Sequence, residues 1–87
     1  MELDPAEMTP VINRIKRAQG QLGGVLRMLE EGRDCEAVVT QLAAVSKALD
    51  KAGFAVVASG LQHCLLNPTD DHELDVKKME KLFLSLA

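Results

Sequence analysis

Residues 35–66 read CEAVVTQLAAVSKALDKAGFAVVASGLQHCLL, and the spacing of their apolar positions decides the fold. Val38, Leu42, Val45, Leu49, Ala52 and Val56 step by 4, 3, 4, 3 and 4 residues, and the pattern continues to Leu61 and Leu65. That is the heptad repeat of a helix that buries one stripe. Asp34 stands immediately before it as an N-cap. Asn67-Pro68 ends it, because the residue before a proline leaves the helical region. The predicted helix runs about 32 residues, roughly 48 Å at 1.5 Å per residue. Such a rod is too long for a monomeric globule of 87 residues and reads as the spine of a dimer.

Toward the N-terminus, Thr9-Pro10 is a helix-start signal, with Thr9 as N-cap and Pro10 at the first helical position. Val11, Ile15, Ala18, Leu22, Val25 and Leu29 then repeat the same stepping. Gly20, Gly23 and Gly24 interrupt this stretch, each costing about 1 kcal/mol relative to Ala. They mark either local weakness or the close approach of another helix or of DNA. Gly32 is a natural stop. Toward the C-terminus, Asp70 or Asp71 caps a third helix whose apolar face is Leu74, Val76, Met79, Leu82, Phe83 and Leu86. No strand-like alternation, repeat or low-complexity segment is present. The expected fold is all-α: one domain over 1–87, with helices over 10–31, 35–66 and 72–86.

Composition agrees. The chain is 47% hydrophobic with no Trp, no Tyr and two Phe, so its core is aliphatic. A monomer this small buries a limited fraction of its surface, and oligomerisation is the expected source of further core. The opening MELDPAEMTP is acidic and lacks the apolar run of a signal peptide, and no stretch has the length of a membrane span. A cytoplasmic protein is expected, in which cysteines are reactive or metal-binding rather than structurally bridged. HExxH, CxxC, GxSxG and phosphate-loop motifs are all missing, so no enzyme and no cofactor are expected.

Net charge is −3, but its distribution is uneven. Glu2, Asp4 and Glu7 open the chain, whereas Met8 to Leu29 contains no acid and carries Arg14, Lys16, Arg17 and Arg27. This window reads as an anion-binding face or as a solvated helix face.

The two cysteines carry the sharpest inference. Cys35 occupies the first turn of the long helix, where the dipole and free N–H groups favour a thiolate, with Asp34 opposing. Cys64 lies 29 residues on, about 44 Å along the axis. The two cannot meet within one helix. They meet if two copies pack antiparallel about an axis near Leu49 and Asp50, giving two symmetric Cys35–Cys64 sites. Otherwise each is an ordinary buried cysteine. His63 points about 100° from Cys64 and rarely shares a ligand with it; His72 reads as solvated.

Arg14-Ile15-Lys16-Arg17-Ala18-Gln19-Gly20-Gln21, Asp34-Cys35, Gln41-Leu42-Ala43-Ala44-Val45 and His63-Cys64 together resemble the copper-sensing operon repressor family (CsoR/RcnR-like), from about Val11 to Leu65. The resemblance implies a disc-shaped homotetramer of antiparallel four-helix-bundle dimers. It also implies repression of genes that remove the sensed ligand, without a helix-turn-helix. Copper-sensing members resemble Cys … His-x-x-x-Cys, and the residue four before Cys64 is here Gly60, which cannot ligate. Nickel- and cobalt-sensing members also use a His there. Formaldehyde-sensing members use a Pro after the initiator Met, where this chain has Glu2. Two cysteines without that His is what the persulfide-sensing (CstR-like) branch looks like.

The resulting expectation is a repressor that releases operator DNA when persulfide or polysulfide donors bridge Cys35 and Cys64 across subunits. Cu(I) sensing by the same two thiolates, with Cys35 and Cys64 as ligands, is the alternative. A helical adaptor without a DNA role is the rival from another class. The expected phosphate contacts are Arg14, Lys16 and Arg17, with Lys51 weaker and Gln19 and Gln21 also reaching DNA.

Overall fold

The computed structural model describes residues 2–66 and 72–87, with only the backbone of Cys64 and His72. The expected stop at Asn67-Pro68 and cap at Asp70 or Asp71 lie outside the described residues. Three helices form: α1 (Thr9–Glu30), α2 (Cys35–Leu66) and α3 (His72–Leu86). No strand occurs among the described residues.

Local chemistry sets most of the boundaries. At the end of α1, Gly32 adopts φ +68°, the left-handed region that a side chain disfavours. Its N–H donates to the Leu29 carbonyl at 3.2 Å, and that of Arg33 donates to the Met28 carbonyl at 2.9 Å. These are the paired bonds of a Schellman stop. Two residues later the Ala37 N–H donates to the Asp34 carboxylate at 3.3 Å, so Asp34 caps α2 as expected.

The start of α1 differs from the sequence expectation. Its N-cap is Met8, and Thr9 already lies inside the helix. The Thr9 hydroxyl donates backwards, to the Ala6 carbonyl at 3.3 Å. A preceding turn explains the shift. The Ala6 N–H donates to the Asp4 carboxylate at 2.9 Å. Those of Glu7 and Met8 donate to the carbonyls of Asp4 and Pro5 at 3.0 and 3.2 Å. The chain therefore enters α1 already wound, and buried Met8 anchors it by packing rather than by a side-chain hydrogen bond.

Both α1 and α3 pack on α2 and not on each other. The layer is flat, with extents of 55 × 26 × 13 Å. Its radius of gyration is 16.8 Å, against about 12 Å for a compact domain of this length. The accessible surface is 6638 Å², against about 5,000 Å² for a compact monomer of this mass.

The two heptad stripes show where the excess lies. Ala18 and Val25 of α1 and Val38, Val45 and Ala52 of α2 are buried, each row stepping by seven. The alternate members stay open: Leu22 is 45% and Leu49 44% exposed, and Ile15, Leu29 and Leu42 behave alike. Packing within one chain uses half of each stripe.

Small residues set the α2–α3 spacing. A Cβ at Gly53 would lie 3.0 Å from Leu86 Cδ1 and Cδ2, and one at Gly60 would lie 3.0 Å from Met79 Sδ. Phe54 and Phe83 pack between them, ring centroids 5.2 Å apart and tilted by 56°. Close approach inside the chain thus falls at Gly53 and Gly60, not at Gly20, Gly23 and Gly24. A Cβ at Gly20 would meet nothing within 4 Å, and Gly23 and Gly24 have only the Arg27 guanidinium nearby, at 4.0 and 3.8 Å.

Candidate functional site

Basic residues gather along the seam between α1 and α2. Arg14, Arg17 and Gln21 recur at steps of 3 and 4, so they share a face of α1. Opposite them, α2 contributes Ala44, Lys47, Ala48 and Lys51, and the two rows enclose a groove of about 500 Å³. The alanines leave room between the helices, and four cations line the groove without any acid. Gln21 also lines a neighbouring hollow of about 350 Å³ with Gly24, Arg27, Met28, Glu31, Arg33 and Gln41. There Arg33 pairs with Glu31 at 3.6 Å; so exposed a pair contributes little stability.

Of the residues expected to meet DNA, Arg14, Arg17, Gln21 and Lys51 come together. Lys16 and Gln19 are exposed but do not line the groove. Lys16 is two residues from Arg14, about 200° around the helix, which turns it away. Sequence reasoning missed Lys47. The signal available was its i, i+4 relation to Lys51, which puts both on one face of α2.

Cys35 is the first residue of α2 and is exposed. Cys64 belongs to the same unbroken helix. The rigid rod holds the two at opposite ends of the molecule, which excludes a bridge within one chain. Among the described residues, no three of His, Cys, Asp and Glu cluster closely enough to hold a metal ion. His63, next to Cys64, is exposed. Gly60, one turn before Cys64, is buried under Met79.

A cationic groove on a helical layer and thiols at its two ends match a known group of regulators. The sequence profile of the metal-sensitive transcriptional repressors matches residues 7–85. The chain belongs to that family. Family membership makes it a non-enzymatic regulator of transcription, as the sequence suggested, and it answers the adaptor rival.

Among similar proteins, the copper-sensing transcriptional repressor RicR of Mycobacterium tuberculosis is 38% identical over 52 residues, 60% of this chain and 54% of that protein. The copper-sensing transcriptional repressor CsoR of Mycobacterium ulcerans is 40% identical over 53 residues, 61% of this chain and 45% of that protein. A Bacillus subtilis protein of unassigned function, YrkD, is 50% identical over 38 residues, 44% of this chain and 60% of that protein. The chain spans about half the length of the curated relatives it matches. Among the described residues of this repressor, no helix is long and apolar enough to cross a membrane.

Proposed function

We propose that this metal-sensitive repressor binds operator DNA as a homo-oligomer and releases it when Cu(I) joins Cys35 of one chain to Cys64 of another. The observation that carries this reading is the placement of both cysteines on one rigid helix, α2, whose remaining apolar stripe has no partner within the chain. A second antiparallel copy laid on Leu22, Leu42 and Leu49 covers that stripe and brings Cys35 to the level of the other copy's Cys64. Two such sites arise by symmetry. A pair of these dimers forms the homotetramer that the resemblance implies.

The chemistry of the donors fits. Cu(I) is soft and prefers sulfur, so two thiolates suit it without an imidazole. The copper-sensing relatives favour copper over persulfide as the signal.

Readout and signal occupy different parts of the rod. The groove residues Ala44 to Lys51 lie at the middle of α2, beside the dimer axis, so the grooves of two copies lie side by side and face one stretch of phosphates. Arg14, Arg17, Lys47 and Lys51 supply the charge, Gln21 a polar contact, and Lys16 and Gln19 flank them. Clamping the ends of paired helices changes their crossing and hence the separation of the grooves. That is allostery in the strict sense, since the clamp favours one of two arrangements. A repressor working in this way acts where the chromosome is, in the cytoplasm.

A second reading keeps the same cysteines but takes a persulfide as the signal. Gly60 supports it, because no imidazole stands one turn before Cys64. The Cys35 thiol takes the outer sulfur of an organic persulfide and releases the corresponding thiol. The Cys64 thiol of the other chain then attacks the Cys35 sulfur and expels hydrogen sulfide, which leaves a disulfide.

The test uses a duplex that the protein itself selects from a random pool. Stoichiometric Cu(I) is expected to release it from the wild type and not from Cys35→Ser. Release by a persulfide donor with indifference to Cu(I) selects the second reading. Release of Cys35→Ser by either signal sinks both.

A further inference from the structure

Three contacts set the register of α3 on α2: Gly53 with Leu86, Phe54 with Phe83 and Gly60 with Met79. On α2 the stripe facing α3 therefore runs through Gly53, Val57 and Gly60, at steps of 4 and 3. Its next position, four residues on, is Cys64. Helix positions i and i+4 lie about 5–6 Å apart at Cβ. The Met79 sulfur, 3.0 Å from where a Gly60 Cβ would be, thus lies on the face of α2 that carries Cys64, one turn before it.

Met79 is 7% exposed, yet it lines a groove of about 410 Å³ with Val57, Leu61, Val76, Phe83 and Leu84. Glu80 is the one charged residue on that lining. The sulfur therefore has apolar surroundings and a route from solvent.

We propose that the Met79 thioether is a ligand for Cu(I), acting with Cys64 of its own chain while Cys35 of a second copy completes the site. The proposal rests on the copper reading above. Thiolate and thioether sulfurs both select Cu(I) over harder ions. A thioether adds a donor without adding charge, which suits an apolar groove. Met has three rotatable bonds, so its sulfur can adjust to the metal while its stem stays packed. Glycine at position 60 is then functional as well as structural, since any larger side chain displaces the sulfur.

Packing alone asks less of position 79. Leucine and methionine exchange with little loss in a core, so only a sulfur-specific measurement separates the two roles. The full-length protein, labelled with selenomethionine, is loaded with Cu(I) without oxygen and measured by X-ray absorption at the copper edge. The expected result is a copper–selenium path in the wild type that Met79→Leu abolishes. Met79→Leu is also expected to hold Cu(I) about tenfold or more weaker, the range seen when a group supporting a metal site is removed. A Met8→Leu, Met28→Leu double variant keeps the path, so the result does not depend on Met79→Leu folding. His72→Ala leaves path and affinity unchanged. A wild type that binds Cu(I) tightly with no selenium neighbour overturns the proposal and leaves the copper reading standing. A wild type that holds Cu(I) no tighter than Cys64→Ser overturns both.

Discussion

Arg14 on α1 and Lys47 on α2 line the same groove, although 33 positions separate them in the chain. Lys47→Ala is accordingly expected to weaken DNA binding as much as Arg14→Ala. Each lost phosphate contact lowers the slope of log affinity against log salt by about 0.9. Lys16→Ala, outside the groove, is expected to change both quantities less. Fluorescence anisotropy at several salt concentrations measures them. Equal effects of Lys16→Ala and Lys47→Ala would mean that the whole charged surface, not the groove, meets DNA.

The open half of the heptad stripes predicts association. Leu49 lies at the middle of α2 and is 44% exposed in the single chain. Leu49→Lys places a charge where the second copy packs and is expected to shift the protein toward monomer in sedimentation at micromolar concentration. If the wild type is itself monomeric there, the cross-chain site fails with the dimer.

Mixing two inactive variants tests whether the thiol site is shared. Cys35→Ser and Cys64→Ser each remove one half of both sites in a symmetric dimer. A mixed dimer regains one intact Cys35–Cys64 pair and loses the other completely. Unfolding and refolding the two variants together is therefore expected to restore tight Cu(I) binding to a fraction of the sites, whereas each variant alone stays weak. No recovery in a verified mixed dimer would contradict a site built from two chains.

Glycine substitutions separate the two kinds of glycine. Gly20→Ala meets open space and is expected to stabilise the protein by about 1 kcal/mol through helix propensity. Gly60→Ala is expected to forfeit that gain, because its Cβ lies 3.0 Å from the buried Met79 sulfur. Gly32→Ala is expected to cost about 1–2 kcal/mol, the penalty for a side chain in the left-handed region. Urea unfolding at a fixed protein concentration ranks all three, and the order Gly20→Ala, Gly60→Ala, Gly32→Ala from most to least stable is the expected one.

Much of the fold was legible in the chain. The Gly32 stop, the Asp34 cap and the heptad steps from Val38 to Val56 are local signals, because capping and periodicity depend on residues within a turn or two of each other. Thr9 misled for the same local reason. Its hydroxyl suits a cap, but the turn at Pro5 to Met8 had already begun the winding. The charge asymmetry and the two cysteines were likewise visible as composition and spacing. Sequence alone thus determined three helices, their ends, one basic window and the separation of Cys35 from Cys64. Tertiary structure decided which half of each stripe is buried within the chain, that Lys47 joins Arg14 and Arg17 while Lys16 does not, and that Gly60 lies beneath Met79. Those outcomes depend on the register between helices. That register is set by the summed fit of side chains such as Ala44, Ala48, Gly53 and Leu86 across an interface, which no single segment encodes by itself.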